Sequence, residues 1–109
     1  MTFAELKKVL DSTGYPVAYS HFTGTPLTPV PEPPYILYIS VYSSNLFADN
    51  AMMLKVDNVQ IELYTTKKNL KAEARLESAL NQAELGWQSA ETFIESEQLF
   101  QKIYDVRVV

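Results

Sequence analysis

Residues 34–53 read PYILYISVYSSNLFADNAMM, and the division of this stretch decides the fold. Its first part, residues 35–42, alternates with a period of two. Tyr35, Leu37, Ile39 and Val41 point one way, and Ile36, Tyr38, Ser40 and Tyr42 point the other. A strand that is apolar on both faces is usually covered on both. Residues 43–53 then read as a polar, projecting loop that nonetheless carries Leu46, Phe47, Met52 and Met53. Two readings are open for those side chains: they fold back beneath a sheet, or they face a partner. Aromatic residues and methionine are enriched at protein interfaces.

Working outward from this stretch gives the remaining elements. Residues 55–66 form a second long strand with cleaner alternation. Val59, Ile61 and Leu63 face a core, while Asn58, Gln60 and Glu62 face out. The two strands are expected to pair as antiparallel neighbours. Residues 69–85 repeat Ala72, Leu76, Ala79, Leu80 and Ala83 on one helical face, and Gly86 is read as the terminator. Residues 87–95 and 99–109 supply two further strands, and Tyr104, Val106 and Val108 share a face of the last.

Upstream, Thr2 and Glu5 have capping-box spacing, and Phe3, Leu6, Val9 and Leu10 form the apolar stripe of a short helix. Residues 15–22 are read as a short edge strand. Residues 23–34 hold five of the six prolines, which remove amide donors and favour an extended, stiff connector. The order helix, three strands, helix, two strands predicts one α+β domain over residues 1–109. Its mostly antiparallel sheet of about four to five strands has two helices packed on one face.

Composition narrows the function classes. The hydrophobic fraction is 47% and the charged fraction 20%, ordinary values for a folded domain. The net charge of −4 offers no basic footprint, so sequence-specific nucleic-acid binding is disfavoured. The chain has no cysteine, which removes disulfide and thiolate chemistry. MTFAELKKVL lacks a signal pattern, and no apolar run approaches the ~20 residues needed to span a bilayer. A soluble intracellular protein without membrane contact is the expectation.

Catalytic constellations are sparse. The single histidine, His21, has no thiol or serine motif beside it and reads as a surface residue. Gly14, Gly24 and Gly86 are too few and too scattered for a phosphate-binding or dinucleotide-binding loop. Asp49-Asn50 and Asp57-Asn58 lack calcium-loop spacing and read as turn residues. Glu91, Glu95 and Glu97 read as a solvated acidic edge. No catalytic residue, metal ligand or cofactor is expected, and the chain is read as a non-enzyme.

Five stretches in order, PPYILY, SSNLFADN, IELYTTKKN, a helix with Glu73, Leu76, Glu77 and Leu80, and FIESEQLFQKIYDV, carry a resemblance. Across roughly residues 2–109 the chain resembles small proteins from the tail-assembly regions of siphophages and prophages of low-GC Gram-positive bacteria. These are known as minor tail, head–tail joining or tail completion proteins. The 23–33 connector is longer than the family's, and Ala51-Met52-Met53 stands where more polar or aromatic residues are usual.

The resemblance implies a tail-terminator-like fold and a homo-oligomeric ring, commonly a hexamer. Such a ring caps the tail tube and docks it to the head. The partners implied are the major tail protein and a head-completion protein, with DNA passing through the lumen. The places implied are the host cytoplasm during assembly and the virion tail. The subunit-interface candidates are Tyr38, Tyr42, Asn45, Leu46, Phe47, Asp49, Asn50, Met52 and Met53. A small adaptor or regulatory domain that binds another protein is the alternative, and a carboxylate-based metal enzyme is a third.

Overall fold

The computed structural model describes residues 1–109, the Met53 side chain excepted. Helix α1 (Phe3–Asp11) leads into strand β1 (Val17–Tyr19) and, after the proline-rich connector, β2 (Tyr35–Ser43). A small ribbon of β3 (Leu46–Ala48) and β4 (Ala51–Leu54) precedes β5 (Asp57–Thr65). Helix α2 (Leu70–Gln82), β6 (Trp87–Ile94) and β7 (Leu99–Val108) complete the chain. The main sheet has the order β1-β2-β5-β7-β6, and β3 and β4 form a separate two-stranded sheet. The class is α+β, as the sequence predicts.

Each helix begins on a cap legible in the sequence. The Thr2 hydroxyl accepts the Glu5 amide at 3.1 Å, and the Glu5 carboxylate accepts the Thr2 amide at 3.2 Å, closing the capping box. Asn69 accepts the Ala72 amide at 3.0 Å and starts α2. The end of α2 differs from the expectation. The helix stops at Gln82, and Glu84, not Gly86, takes the left-handed conformation with φ 59°. The Leu85 amide then donates to the Leu80 carbonyl and the Glu84 amide to that of Asn81, the pair that defines a Schellman ending. Burial of Leu85 beside Leu80 in the core favours ending the helix at Gln82, with the left-handed residue two positions before Gly86.

Antiparallel pairing runs through β2, β5, β7 and β6, and only β1 joins in parallel, with Val17 opposite Ile36. Parallel neighbours need a crossover of roughly a dozen residues or more. Here the proline-rich segment supplies it, returning the chain to the start of β2 without a helix.

Both helices pack on one face of the sheet. Leu6 and Leu10 of α1 and Ala72, Leu76 and Leu80 of α2 meet Ile36 and Tyr38 of β2 and Val59, Ile61 and Leu63 of β5. Tyr104, Val106 and Val108 of β7 complete the cluster. The helix–sheet contact also has a polar seam. Lys102 on β7 donates to Glu73 at 2.7 Å and lies 3.8 Å from Glu77. Lys68 bridges Glu73 at 2.8 Å and Glu91 at 3.1 Å. The fully buried Tyr104 donates its hydroxyl to Glu77 at 2.8 Å. Its own pKa is pushed far up, by burial first and then by the Glu77 carboxylate.

Glu73 is a buried charge held by two ammoniums. Burial pushes its pKa up, but hydrogen bonds from Lys102 and Lys68 outweigh burial and hold it below the ordinary 4.5. A lowered carboxylate pKa stabilises the fold above the unfolded value and loses that contribution as pH falls through the folded one. Glu73→Gln should therefore cost about 1.5–3 kcal/mol at neutral pH, the range for hydrogen bonds to charged groups. In urea titrations, parent and variant should converge as pH falls through the parent's lowered carboxyl pKa and Glu73 protonates.

Candidate interaction surface

Residues 43–53, read from the sequence as a loop, are a β-hairpin on a pinned base. The Ser44 amide donates to the Val56 carbonyl at 2.8 Å, and the Val56 amide donates to Asn45 Oδ1 at 3.0 Å. Asn58 Nδ2 donates to the Tyr42 carbonyl at 3.2 Å and to Ser44 Oγ at 2.8 Å. Val56 itself is buried. These bonds fix where the ribbon leaves the domain.

The tip explains why the sequence has Asp-Asn there. Ala48 pairs with Ala51, leaving Asp49 and Asn50 as a two-residue loop with φ of 52° and 63°. Positive φ at both central residues is the type I′ turn, whose twist matches a hairpin, and Asp and Asn tolerate it better than most residues. Asn-Gly and Asp-Gly are the familiar signals for this turn, and Asp-Asn is a weaker form of the same chemistry.

The ribbon is apolar on both faces. Phe47 lies opposite Met52, and Leu46 lies opposite Leu54, with a register shift between the two pairs. Cross-strand partners share a face and successive residues alternate, so each face receives one pair. All four are open to solvent: Leu46 is 58% exposed, Phe47 66%, Met52 53% and Leu54 38%. A two-stranded ribbon is marginal alone in water, since it has no buried face to hold it. Four exposed apolar side chains on one short ribbon make a local apolar patch.

The strand that feeds the ribbon adds to the patch. A bulge in β2 lets Ser40 pair with Val59 and Tyr42 with Asn58, so Val41 is the extra residue. Tyr42 thereby moves to the face opposite Ser40, correcting the simple alternation read from the sequence. Both Val41 and Tyr42 are exposed. Two candidates lie away from the exposed patch. Tyr38 lies in the core, edge-on to Tyr19 at 5.1 Å between centroids. Asn45 is half-buried and its side-chain oxygen is bound to the Val56 amide, so it anchors the ribbon. Asp49 and Asn50 are exposed at the tip. The Met53 side chain lies outside the described residues. Val41 and Leu54 belong to the patch and were missed; with Asp49-Asn50 as the turn, simple register would set residue 53 opposite Leu46, and only the register shift brings Leu54 there.

The second face of the sheet carries no helix among the described residues. By register it presents Leu37 and Ile39 of β2, Gln60 and Glu62 of β5, and Ile103 and Asp105 of β7. Tyr35 stacks on Tyr64 at 5.1 Å, and Phe22 from the connector caps Tyr35 edge-on at 5.3 Å. Tyr64 donates to Glu62 and accepts from Gln101, each at 2.8 Å. Burial, then the Glu62 carboxylate, pushes the Tyr64 pKa well up. This face is thus mixed, with its aromatic end already packed.

Elsewhere the surface is shallow. A concavity of about 570 Å³ lies between the end of α1 and α2, beside Ser12, Lys71 and Arg75. Another of about 910 Å³ runs past Tyr42, Gln60, Trp87, Asp105 and Arg107. Of the sequence-read candidates, Tyr42 alone lines either one. His21 is exposed, with its ring 3.2 Å from Ser20 Oγ. Glu91 does not stand with Glu95 and Glu97 as a free acidic edge, because Lys68 binds it. Among the described residues, no three His, Cys, Asp or Glu side chains group to hold a metal ion. No helix among them is long and apolar enough to cross a membrane. Neither a family model nor a curated protein matches the chain.

Two substitutions separate ribbon from core. Phe47→Asp should leave the unfolding free energy from urea titration unchanged to within ~0.5 kcal/mol, as for a surface change without buried contacts. Tyr38→Ala should cost about 3–5 kcal/mol, the range for emptying a buried aromatic site.

Proposed function

We propose that the protein is a structural subunit of a phage tail, of the tail-terminator or head–tail-joining type. It caps the tail tube and joins it to the head as a ring of identical subunits. The observation that carries this reading is the β3–β4 ribbon, apolar on both faces and pinned at its base to a well-packed domain. A ribbon of that kind is an arm awaiting a second protein surface.

Rings require heterologous contacts, in which an arm on one subunit meets a different surface on the next. The ribbon is suited to that task because its two faces are both adhesive: one can lie on a neighbour while the other meets the tube or head protein. The resemblance in sequence, running in order across nearly the whole chain, points to the same assembly. A net charge of −4 suits a conduit through which DNA slides, since like charges repel the phosphates. In this reading the work is done by shape and surface, and no bond is made or broken.

Deleting the gene from the phage tests the role directly. The expected result is tails of uncontrolled length, or full heads and tails that fail to join. Plasmid-borne wild-type protein should restore virions, whereas Phe47→Asp should not, despite its intact fold. Normal virions from the deletion would remove the proposal.

A further inference from the structure

The main sheet ends on two edges of different character. At one edge β1 has three residues and is followed by Ser20 in a left-handed conformation with φ 67°. At the other, β6 runs for eight residues, and Gln88 to Phe93 are all exposed. Its pairing with β7 is unbroken from Trp87 opposite Val106 to Ile94 opposite Leu99. Natural edge strands are protected by brevity, bulges, prolines or lysines. β6 has none of these, and its one charged residue, Glu91, is bound by Lys68. Its outer row of amides and carbonyls is therefore open to main-chain pairing.

We propose that β6 pairs antiparallel with β6 of a second copy of this chain, in the register that places Ala90 opposite Ala90. Two five-stranded sheets then become one continuous sheet. The register follows from symmetry and charge. A two-fold axis perpendicular to the sheet keeps every side chain on its own face, so one residue of β6 must lie on the axis. Registers centred on Ala90 or Glu91 retain the longest overlap.

Centring on Glu91 opposes two carboxylates. Each belongs to a cluster in which Glu73, Glu77 and Glu91 outnumber Lys68 and Lys102. Like charges directly opposite one another disfavour a strand pair. Centring on Ala90 puts the smallest side chain of the strand on the axis and sets Ser89 opposite Glu91. Gln88 then meets Thr92, and Trp87 meets Phe93, once on each side of the axis. Phe93 packs on Phe100 at 4.9 Å yet remains 41% exposed, and Trp87 packs edge-on against Tyr104 at 5.3 Å. Aromatic cross-strand pairs are among those that stabilise sheets. A second copy is the fitting occupant because one strand supplies both halves of each pair. The contact closes after one partner, uses no residue of the β3–β4 ribbon, and stands apart from the tail role proposed above.

The chain has no cysteine, so Ala90→Cys introduces a sole thiol that can be linked only between copies. Direct opposition places the two Cα atoms about 4.5–5.5 Å apart, inside the disulfide window. Glu91→Cys would place them roughly 8 Å apart in this register, from the strand rise and spacing, outside that window. Under mild oxidation, Ala90→Cys should give a covalent dimer on a non-reducing gel and Glu91→Cys should not. By light scattering the wild-type chain should dimerise as its concentration rises. Ala90→Lys should lose this β6-linked dimer with an unchanged circular dichroism spectrum, and mixing it with Ala90→Glu should restore a heterodimer. A wild-type chain that stays monomeric at every concentration overturns the proposal. So does linkage through Glu91→Cys in preference to Ala90→Cys, or through neither.

Discussion

A five-stranded sheet covered by one layer of helices has one dry face and one wet face, and the chain must sort its side chains between them. The dry face receives Ile36, Tyr38, Val59, Ile61, Leu63, Tyr104, Val106 and Val108, which close on the leucines of α1 and α2. The wet face alternates apolar residues such as Leu37, Ile39 and Ile103 with Gln60, Glu62 and Asp105. Its aromatic end is packed by Phe22, Tyr35 and Tyr64. The ribbon stands outside this core, and its apolar side chains stay exposed.

The same division explains the polar seam. Lys102 sits on the dry face, where an ammonium is costly unless it is paired, and α2 answers it with Glu73 and Glu77. Tyr104 donates to the same Glu77 oxygen that Lys102 approaches. Apolar packing would let α2 slide along the sheet, whereas these bonds join named residues on helix and strand. They pin the helix against β7, and through Lys68 against β6.

Much of this was legible in the sequence, because it rested on periodicity and capping. The spacing of Val59, Ile61 and Leu63, the Thr2–Glu5 box and the leucines of both helices mark elements without tertiary information. The ribbon was only half legible: its exposed apolar residues stand out, but its strands are three and four residues long, too short for alternation to register. Asp49-Asn50 is a weak turn signal beside Asn-Gly. The position of Tyr38 depends on which side of β2 the helices choose, and alternation alone leaves that open. Tyr42 changes face because of a bulge, and Glu84 displaces Gly86 as the terminator because Leu85 is drawn into the core. In each case a tertiary contact overrode a local rule. The parallel partnership of β1 also belongs to that class, since the connector shows its length but not its destination.

The ribbon is proposed to be an arm which a second protein surface covers. Hydrogen exchange of the amides in β3 and β4, followed by mass spectrometry across a series of protein concentrations, tests it most directly. Free in dilute solution, a marginal ribbon exchanges quickly. Protection of these amides should rise with concentration as arms find neighbouring subunits, while the amides of β5 stay protected throughout. Slow exchange in the ribbon at every dilution would mean that the domain alone holds it, and would contradict the claim.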